Sequence, residues 1–390
     1  MPITLHNVHE VKNVAGAEVA HSVAPRLGRQ DWIAASLIAV LGNLLRIGVL
    51  ALFAQANEDN LGGLLTKWDA KYYTEIARAG YFGADVAADG NVNEVTMAFF
   101  PGFPLVIKAG SFFVANEAAV AIVLNFLFTF LMAAGVMAIA QRMGAGFKAR
   151  AVAAIAVTSA PMSIVFAMPY TEALFGALVM WMLVALLDEK WWLAGLLGFA
   201  LSAVRLTSID VLVVFALIVL FKAVREWKAW LSLIFAAIPL GAYLTWANSY
   251  LGQAGGYFGI QEKHWNSHFD FGAATLKWIW STLLTSDNVG YLLSALVIVG
   301  APILLLLGWR RLPAPVWLFA AALIANVLFS DGIMHSRPRL LLPAAVLFIP
   351  WAIKLANSVI TRSTAALCGA YVLFGAWFSA HMLAVFEWAI

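Results

Sequence analysis

Apolar runs of about 20 residues recur along the whole chain and alternate with short polar segments. A run of that length crosses a hydrocarbon core of ~30 Å when it is helical. The pattern therefore predicts an all-α polytopic membrane protein with about eleven spans, which form one transmembrane domain, 31–390, after a polar tail, 1–30. The predicted spans are 31–55, 117–140, 149–167, 170–187, 191–206, 208–224, 229–251, 288–308, 313–330, 340–357 and 364–386.

The basic residues predict how these spans are oriented. With the N-terminus in the cytoplasm, nearly every basic cluster falls on the cytoplasmic side, as the positive-inside rule requires. The C-terminus and two long loops, 56–116 and 252–287, then lie outside a plasma membrane. The cytoplasmic basic residues are Arg26, Arg29, Arg142, Lys148, Arg150, Lys190, Lys222, Arg225, Lys228, Arg310, Arg311, Lys354 and Arg362.

The composition agrees with a membrane protein and excludes several other classes. Hydrophobic residues make up 63% of the chain and charged residues 12%, the latter about half the share usual in soluble domains. The net charge of +3 comes from loop residues, so it indicates topology and not nucleic-acid binding. Cys368 is the single cysteine, which excludes a disulfide framework and a cysteine-based metal site.

The first outer loop begins with a polar, aromatic stretch that has helical periodicity. Leu61, Leu65, Trp68, Tyr72 and Ile76 recur on one face, so we expect one amphipathic helix lying flat in the membrane interface. A Gly/Asp/Asn-rich segment, 83–96, follows it. The next apolar run, after Pro104, has only about a dozen residues, which predicts a re-entrant or horizontal helix because a span needs more.

Asp69 is the sharpest candidate for chemistry in that loop. It lies between aromatic and lysine residues near the start of the amphipathic helix, where a carboxylate would act as a base at the outer membrane face. A local alternative is a capping box from Thr66 to Asp69, in which Asp69 satisfies the helix start. The two roles are compatible. The pair Glu58 and Asp59 is a second acidic candidate that would bind a metal or replace Asp69.

Several basic residues fall on the outer side against the positive-inside bias and need a reason. Arginine forks suit phosphate oxygens in a partly dehydrated setting, so together these residues would hold a lipid-linked phosphate. Pairing with Asp210 or Asp331, or contact with lipid headgroups, stays open for each one separately. The outward basic residues are Arg205, Arg337, Arg339, Lys263 and His264.

Three further residues have more than one interpretation. Arg46 lies inside the first predicted span and needs a partner, for which Glu58 and a lipid phosphate are the alternatives. Glu172 stands at a predicted helix start, where the helix dipole favours a carboxylate, so its structural interpretation is preferred. Trp265 in a polar loop would stack on a sugar ring or cover a lipid chain. No carboxylate or cysteine spacing accompanies the loop histidines, so no metal site is predicted.

Six segments in order resemble the GPI mannosyltransferase 2 family and its bacterial relatives, over about 67–345. The resemblance rests on the common order of all six segments. They are Lys67-Trp-Asp-Ala-Lys-Tyr-Tyr with Ile76-Ala-Arg-Ala-Gly-Tyr81, Ala98-Phe-Phe-Pro-Gly-Phe-Pro104, the segment from Ala160 to Phe175 with Met168-Pro-Tyr-Thr-Glu172, Ser202-Ala-Val-Arg205, Gln261-Glu-Lys-His-Trp265 and Arg337-Pro-Arg-Leu340.

The resemblance implies a GT-C fold whose active site lies in the first outer loop. Enzymes of this kind transfer mannose from a polyprenyl-phosphate carrier with inversion. Asp69 matches the expected catalytic aspartate, and Arg205 and Arg339 match arginines expected near the lipid phosphate. Two departures are Thr207-Ser-Ile209, where the family has a glycine, and Pro338-Arg339, where it has Arg-Tyr. A different acceptor would account for both.

The chemistry of such a transfer is consistent with the residues available. A phosphate leaving group departs without a general acid, so one carboxylate suffices as base, whereas glycoside hydrolysis uses two. Arginine and lysine can neutralise a monophosphate, so neither a divalent metal nor another cofactor is required.

The sequence therefore predicts an inverting glycosyltransferase that moves mannose to a glycolipid or lipoglycan, or less favourably to a protein. Alternatives are another polyprenyl-phosphate sugar such as a pentose, a lipid flippase or transporter without chemistry, and a non-catalytic subunit. Polar residues gather at outer span ends and not along a midplane path, and no internal repeat is evident, which favours the enzyme. The residues expected to shape the cleft are Trp68, Tyr72, Phe100, Pro101, Glu172, Gln261 and Trp265.

Overall fold

The computed structural model describes residues 26–83 and 92–389, so most of the polar tail and most of the Gly/Asp/Asn-rich segment lie outside the described residues. Within those ranges the chain is helical, and its β-structure is one isolated bridge between Phe269 and Ser330. The helices are α1 Arg29–Ala56, α2 Leu61–Leu65, α3 Asp69–Gly83, α4 Val92–Thr96, α5 Gly102–Ser111, α6 Glu117–Arg142, α7 Phe147–Thr158, α8 Glu172–Leu187, α9 Trp191–Ser202, α10 Ser208–Lys222, α11 Trp227–Leu251, α12 Gly256–Trp265, α13 Ala273–Thr285, α14 Val289–Gly308, α15 Ala314–Leu328, α16 Arg337–Leu340, α17 Ile349–Ser358 and α18 Thr361–Ala384.

Five of these helices are long and apolar enough to cross a membrane: α1, α6, α11, α14 and α18. A sixth span results if the segments Met334–Leu340 and Leu342–Ser358, which meet at 61°, count as one. The prediction of a multi-pass helical protein is confirmed at this level. The helices α8, α9 and α15 are apolar but have only 16, 12 and 15 residues.

Some predicted spans are interrupted. The predicted span 149–167 is the short helix α7 followed by the 3₁₀ turn Ser163–Ala167. Pro161 lies at the break, where it cannot donate a backbone hydrogen bond, and Met162 has a left-handed φ of 71°. The chain therefore leaves the helix before it has crossed a full hydrocarbon thickness.

Close helix packing organises the central layers. The helix α6 packs against α1, α7 and α8, and α9 lies between α8 and α11. At the last of these contacts, Gly195 and Gly198 of α9 face Ser232 and Ala236 of α11. A Cβ at either glycine would lie within 3 Å of an atom of the facing residue, so only glycine permits this approach. Small residues at helix contacts are how helices in membranes come close.

Arg46 has neither of its predicted partners. Its guanidinium is 2% exposed and donates to Asn43 Oδ1 at 2.5 Å, to Ser163 Oγ at 2.9 Å and to the Thr158 carbonyl. The expectation of a pairing with Glu58 or a lipid phosphate is therefore wrong, because neutral oxygens from α1, α7 and the 3₁₀ turn surround the group. Arg46 ties α1 to the 3₁₀ turn that contains Ser163 and leads towards α8.

The predicted single amphipathic helix is two helices. The first, α2, ends at Leu65, and α3 begins at Asp69 after a break in which Trp68 has a left-handed φ of 59°. The Thr66 hydroxyl donates to the Gly62 carbonyl at 2.9 Å, so it closes α2. The predicted capping box is wrong, because Asp69 is the first residue of α3 and not its third.

The break also changes which face of α3 is buried. Ala70, Tyr73, Ile76 and Ala77 are buried, while Tyr72 is half-buried. The apolar run after Pro104 forms α5, whose ten residues are too few to span. This helix packs against α3 and α6.

Candidate active site

A polar cavity of about 280 Å³ opens where the start of α3 meets α12, α16 and the loop between α9 and α10. Seven of the predicted site residues line it, and six do not. The seven are Asp69, Phe100, Arg205, Gln261, Trp265, Arg337 and Arg339, and the six are Trp68, Tyr72, Pro101, Glu172, Lys263 and His264.

Asp69 occupies the first position of α3, where the helix dipole favours a negative charge. Its Oδ2 accepts a hydrogen bond from Arg339 Nη1 at 2.7 Å, although the two residues are 270 positions apart. The Asp69 side chain keeps 23% of its surface exposed. The carboxylate is thus fixed by one arginine and still accessible from the cavity.

Glu172 lies behind the cavity wall and holds both arginines. It is the first residue of α8 and is 2% exposed. Its Oε1 accepts from Arg205 Nη1 at 3.1 Å and lies 3.5 Å from Arg339 Nε. Together with Asp69, these residues form a group of two carboxylates and two guanidinium ions, which we call the charge quartet.

Tyr170 contacts two members of the charge quartet, Arg339 and Asp69. The Arg339 guanidinium lies 5.0 Å from the centre of its ring. The Tyr170 hydroxyl accepts from the Asp69 backbone N–H at 3.3 Å and donates to the Lys67 carbonyl at 3.4 Å. Asn125 of α6 donates its amide to the Tyr170 carbonyl at 2.9 Å. Tyr170 therefore joins the start of α3 to the start of α8.

Arg205 reaches the site from the loop between α9 and α10. Its guanidinium lies 5.4 Å from the centre of the Phe175 ring. The neighbouring Ala203 carbonyl accepts from the Gly102 backbone N–H at 2.7 Å, and a Cβ on Gly102 would lie 2.6 Å from that oxygen. The glycine of the segment 98–104 therefore lets this segment pack directly on the loop between α9 and α10 that carries Arg205.

Aromatic side chains form one wall of the cavity around Phe99. Tyr72 stacks on Phe99 with ring centres 4.8 Å apart, and Tyr73 and Trp265 meet it edge-on at 5.0 and 6.0 Å. Burial raises the pKa of Tyr73, and the nearby charge of Asp69 raises it further, so Tyr73 stays neutral. Phe100, which the sequence predicted for this role, also lines the cavity, and its ring centre lies 4.4 Å from that of Tyr243.

Arg337 lines the cavity while it holds the surrounding loops. It is 2% exposed and donates to the Thr275 hydroxyl and the Ser330 carbonyl. The structure does not bring Lys263 and His264 to the charge quartet. They bind Glu94 instead.

The contacts at Glu94 join α12 to α4. Lys263 Nζ lies 2.5 Å and His264 Nε2 3.3 Å from Glu94 Oε2. The hydrogen bond from Lys263 holds the pKa of Glu94 below its usual value, and His264 adds to this. These two basic residues therefore stabilise the loop at the edge of the site.

The acidic alternatives do not take part in the charge quartet. Asp210 accepts from Asn326, and Asp331 accepts from Asn266 Nδ2 at 2.8 Å. Glu58 and Asp59 are exposed and do not line the cavity. Within 26–83 and 92–389, no three His, Cys, Asp or Glu side chains cluster as metal ligands.

An apolar groove of about 310 Å³ lies on the other side of α16, between α14, α18 and the 3₁₀ turn Leu342–Phe348. Aliphatic and aromatic side chains line it, among them Leu296, Val297 and Phe374. Pro338 lines the groove, whereas its neighbours Arg337 and Arg339 line the polar cavity. One helical turn therefore separates the cationic site from the apolar groove.

The arrangement supplies an accessible carboxylate, two arginines with unused donors and an aromatic wall beside an apolar groove. The sequence missed that Glu172 holds both arginines, because a carboxylate at a helix start is usually explained by the dipole alone. Comparison of the chain with protein-family models, curated proteins and solved structures finds no match.

Proposed function

We propose that this protein is an inverting glycosyltransferase of the GT-C type that moves mannose from a polyprenyl-phosphate carrier to a hydroxyl of a glycolipid or lipoglycan. The observation that carries the proposal is the convergence of Asp69, Arg205 and Arg339 on one cavity. They come from three segments that are distant in sequence, which is the constellation a base and a phosphate site require.

In the proposed reaction Asp69 takes the proton of the acceptor hydroxyl while that oxygen attacks the anomeric carbon. The new glycosidic bond forms as the bond between the anomeric carbon and the phosphate oxygen breaks. Polyprenyl phosphate leaves with the bonding electron pair, and attack from the opposite face inverts the configuration. The accessible part of the Asp69 carboxylate accepts the proton.

The two arginines have donors left for the leaving phosphate. Each guanidinium carries five N–H groups, and in the described structure Arg205 and Arg339 each use one in a hydrogen bond to a carboxylate. Glu172 and Asp69 balance their charge, so the site is neutral before the donor arrives. Guanidinium forks bind phosphate oxygens in pairs and stabilise the charge that develops on the leaving group.

The apolar groove supports a lipid-linked donor over a soluble sugar nucleotide. A polyprenyl chain is a long hydrocarbon whose burial is favoured by about 25 cal/mol per Å² of apolar surface. Because α16 lies between groove and cavity, a chain in the groove would bring its phosphate next to Arg339.

The proposal places the site on the outer face of a plasma membrane, with eleven spans and a cytoplasmic N-terminus. The short helices would then cross as tilted or broken spans. The helix α8 supports this orientation, because it runs from Glu172 at the site to Leu187, and the next residue, Asp188, pairs with Arg142 at 2.7 Å. Arg142 belongs to the basic residues assigned to the cytoplasmic side.

The test is transfer by the purified protein in lipid vesicles that contain labelled polyprenyl-phosphate mannose and a membrane lipid extract. We expect the label to move to a new lipid, whose structure would identify the acceptor. If the label stays on the donor, and if a panel of other polyprenyl-phosphate sugars also stays intact, the proposal is wrong. Movement of the intact donor across the bilayer would instead favour a flippase.

A further inference from the structure

A carboxylate and an amide form a pair beside the cavity that the proposed reaction does not use. Asp210, in the first turn of α10, is 5% exposed, and both of its oxygens accept from Asn326 Nδ2, at 3.0 and 3.2 Å. Asn326 lies near the end of α15 and lines the cavity. Among the described residues this neutral amide is its hydrogen-bond partner, and burying a carboxylate without a bound cation is costly, so the pair needs an explanation.

The carboxylate dictates how the amide of Asn326 is oriented. Both Asp210 oxygens accept from the amide nitrogen of Asn326, and this arrangement turns the Asn326 carbonyl oxygen away from Asp210. In the described structure Oδ1 of Asn326 makes no hydrogen bond, and it is not among the fully buried polar atoms without a partner. An acceptor with an unused lone pair therefore faces the accessible space.

Thr207 adds a hydroxyl to the same wall. It precedes α10, a position where threonine commonly caps the helix, yet its side chain makes no capping hydrogen bond. It lines the cavity two residues after Arg205. The cavity lining therefore includes the Asn326 amide and the Thr207 hydroxyl, and Thr207 is two residues from an arginine of the charge quartet.

We infer that Asn326 and Thr207 form the subsite that reads a hydroxyl group of the transferred sugar, and that Asp210 is the residue that positions Asn326. The inference rests on the proposed function and deepens it. A phosphodiester has no proton to donate to the Asn326 oxygen, whereas every sugar hydroxyl has one. The donor would therefore point its phosphate to the arginines and its sugar to this wall.

Such a subsite gives specificity, because an analogue without the hydroxyl leaves the amide oxygen unpaired. The test measures kcat/KM for polyprenyl-phosphate mannose and its monodeoxy analogues. For wild type we expect a loss of about 10- to 100-fold with one analogue. Asn326→Ala should lose a similar factor with the parent donor and show no further loss with that analogue.

Two further variants keep the test decisive. Asp210→Asn preserves the volume of the side chain but no longer fixes the orientation of the Asn326 amide. It should therefore weaken discrimination against the same analogue, and it provides a test even if Asn326→Ala does not fold. Thr245→Val is the control, because Thr245 is exposed and its hydroxyl binds the Gly241 carbonyl of its own helix. It should discriminate like wild type.

The subsite is refuted if the loss of kcat/KM caused by each substitution and the loss caused by each deoxy analogue simply multiply. Independent effects of this kind would mean that Asn326 acts only through the fold and does not contact the sugar. If wild type transfers no sugar from the parent donor or from the panel of other polyprenyl-phosphate sugars, the proposed function fails first. The two failures are therefore distinguishable.

Discussion

Replacing Glu172 by glutamine tests how much the charge quartet depends on its buried anion. Glutamine keeps the size of the side chain and an oxygen for Arg205, but it removes the charge that faces both arginines. Arg339 would then keep Asp69 as its anionic partner, and Arg205 would lose the carboxylate that it binds. Their side chains are 17% and 11% exposed, so water would compensate little of the loss.

The expected cost follows from this burial. Removing one partner of a buried ion pair costs about 3–5 kcal/mol, and the retained hydrogen bond places this case near 3 kcal/mol. A chain of 390 residues at about 2.1 cal/mol/K per residue has an unfolding entropy of roughly 0.8 kcal/mol/K. The Tm should therefore fall by at least about 4 °C. Helices that stay inserted in the detergent on heating lower the unfolding entropy, so the same loss of free energy would lower the Tm by more.

The measurement is thermal unfolding of wild type and Glu172→Gln in the same detergent and at the same scan rate. Glu75→Gln is the matched control, because Glu75 pairs with Arg78 on the exposed face of α3. An exposed pair contributes about 0.2–1 kcal/mol, so the control should shift the Tm by about 1 °C or less. Equal shifts for the two variants would refute the claim that Glu172 holds the quartet.

Two other predictions concern the loops around the site. Gly102→Ala should destabilise the protein by about 1–3 kcal/mol, because its Cβ would clash with the Ala203 carbonyl. Gly241→Ala is the control in the same unfolding assay, because nothing lies within 4 Å of its Cβ. Equal Tm values for the two variants would contradict the close packing of Gly102 on Ala203. Glu94→Gln should remove a pH dependence of the Tm. Because the pKa of Glu94 is lowered in the folded protein, its ionised carboxylate stabilises the fold fully above pH 4.5, the usual pKa. This stabilisation is lost as the pH falls through the lowered pKa. The Tm of wild type should therefore fall towards that of the variant on acidification from pH 6 to pH 3, and a Tm difference that does not change with pH would refute this.

The sequence carries much of the fold, because membrane spans are marked by hydrophobic length alone. It predicted the apolar helices, the short helix after Pro104 and the approximate boundaries of most elements. It could not separate α2 from α3, because the apolar periodicity runs through Trp68 although the backbone there is left-handed. It also could not reveal that the predicted span 149–167 is broken at Pro161.

The candidate site was less accessible to sequence reasoning. Motif order drew attention to Asp69, Arg205 and Arg339, but spacing cannot show that Asp69 and Arg339 touch across 270 residues. Glu172 was predicted to shape the cleft but not to bind both arginines, and Asn326 was missed, for the same reason. Their roles depend on which helix packs beside them.

Asp69 is the residue on which the whole account depends. The decisive measurement is the rate of label transfer from polyprenyl-phosphate mannose to membrane lipid by wild type, Asp69→Asn and Asp59→Asn. Asp59 is an exposed aspartate in the same loop, so its variant should transfer at the wild-type rate. The account predicts that Asp69→Asn remains folded and inserted but loses a factor of about 10² to 10⁴ in kcat, as expected when a general base is removed. Transfer by Asp69→Asn at the rate of the control would contradict it.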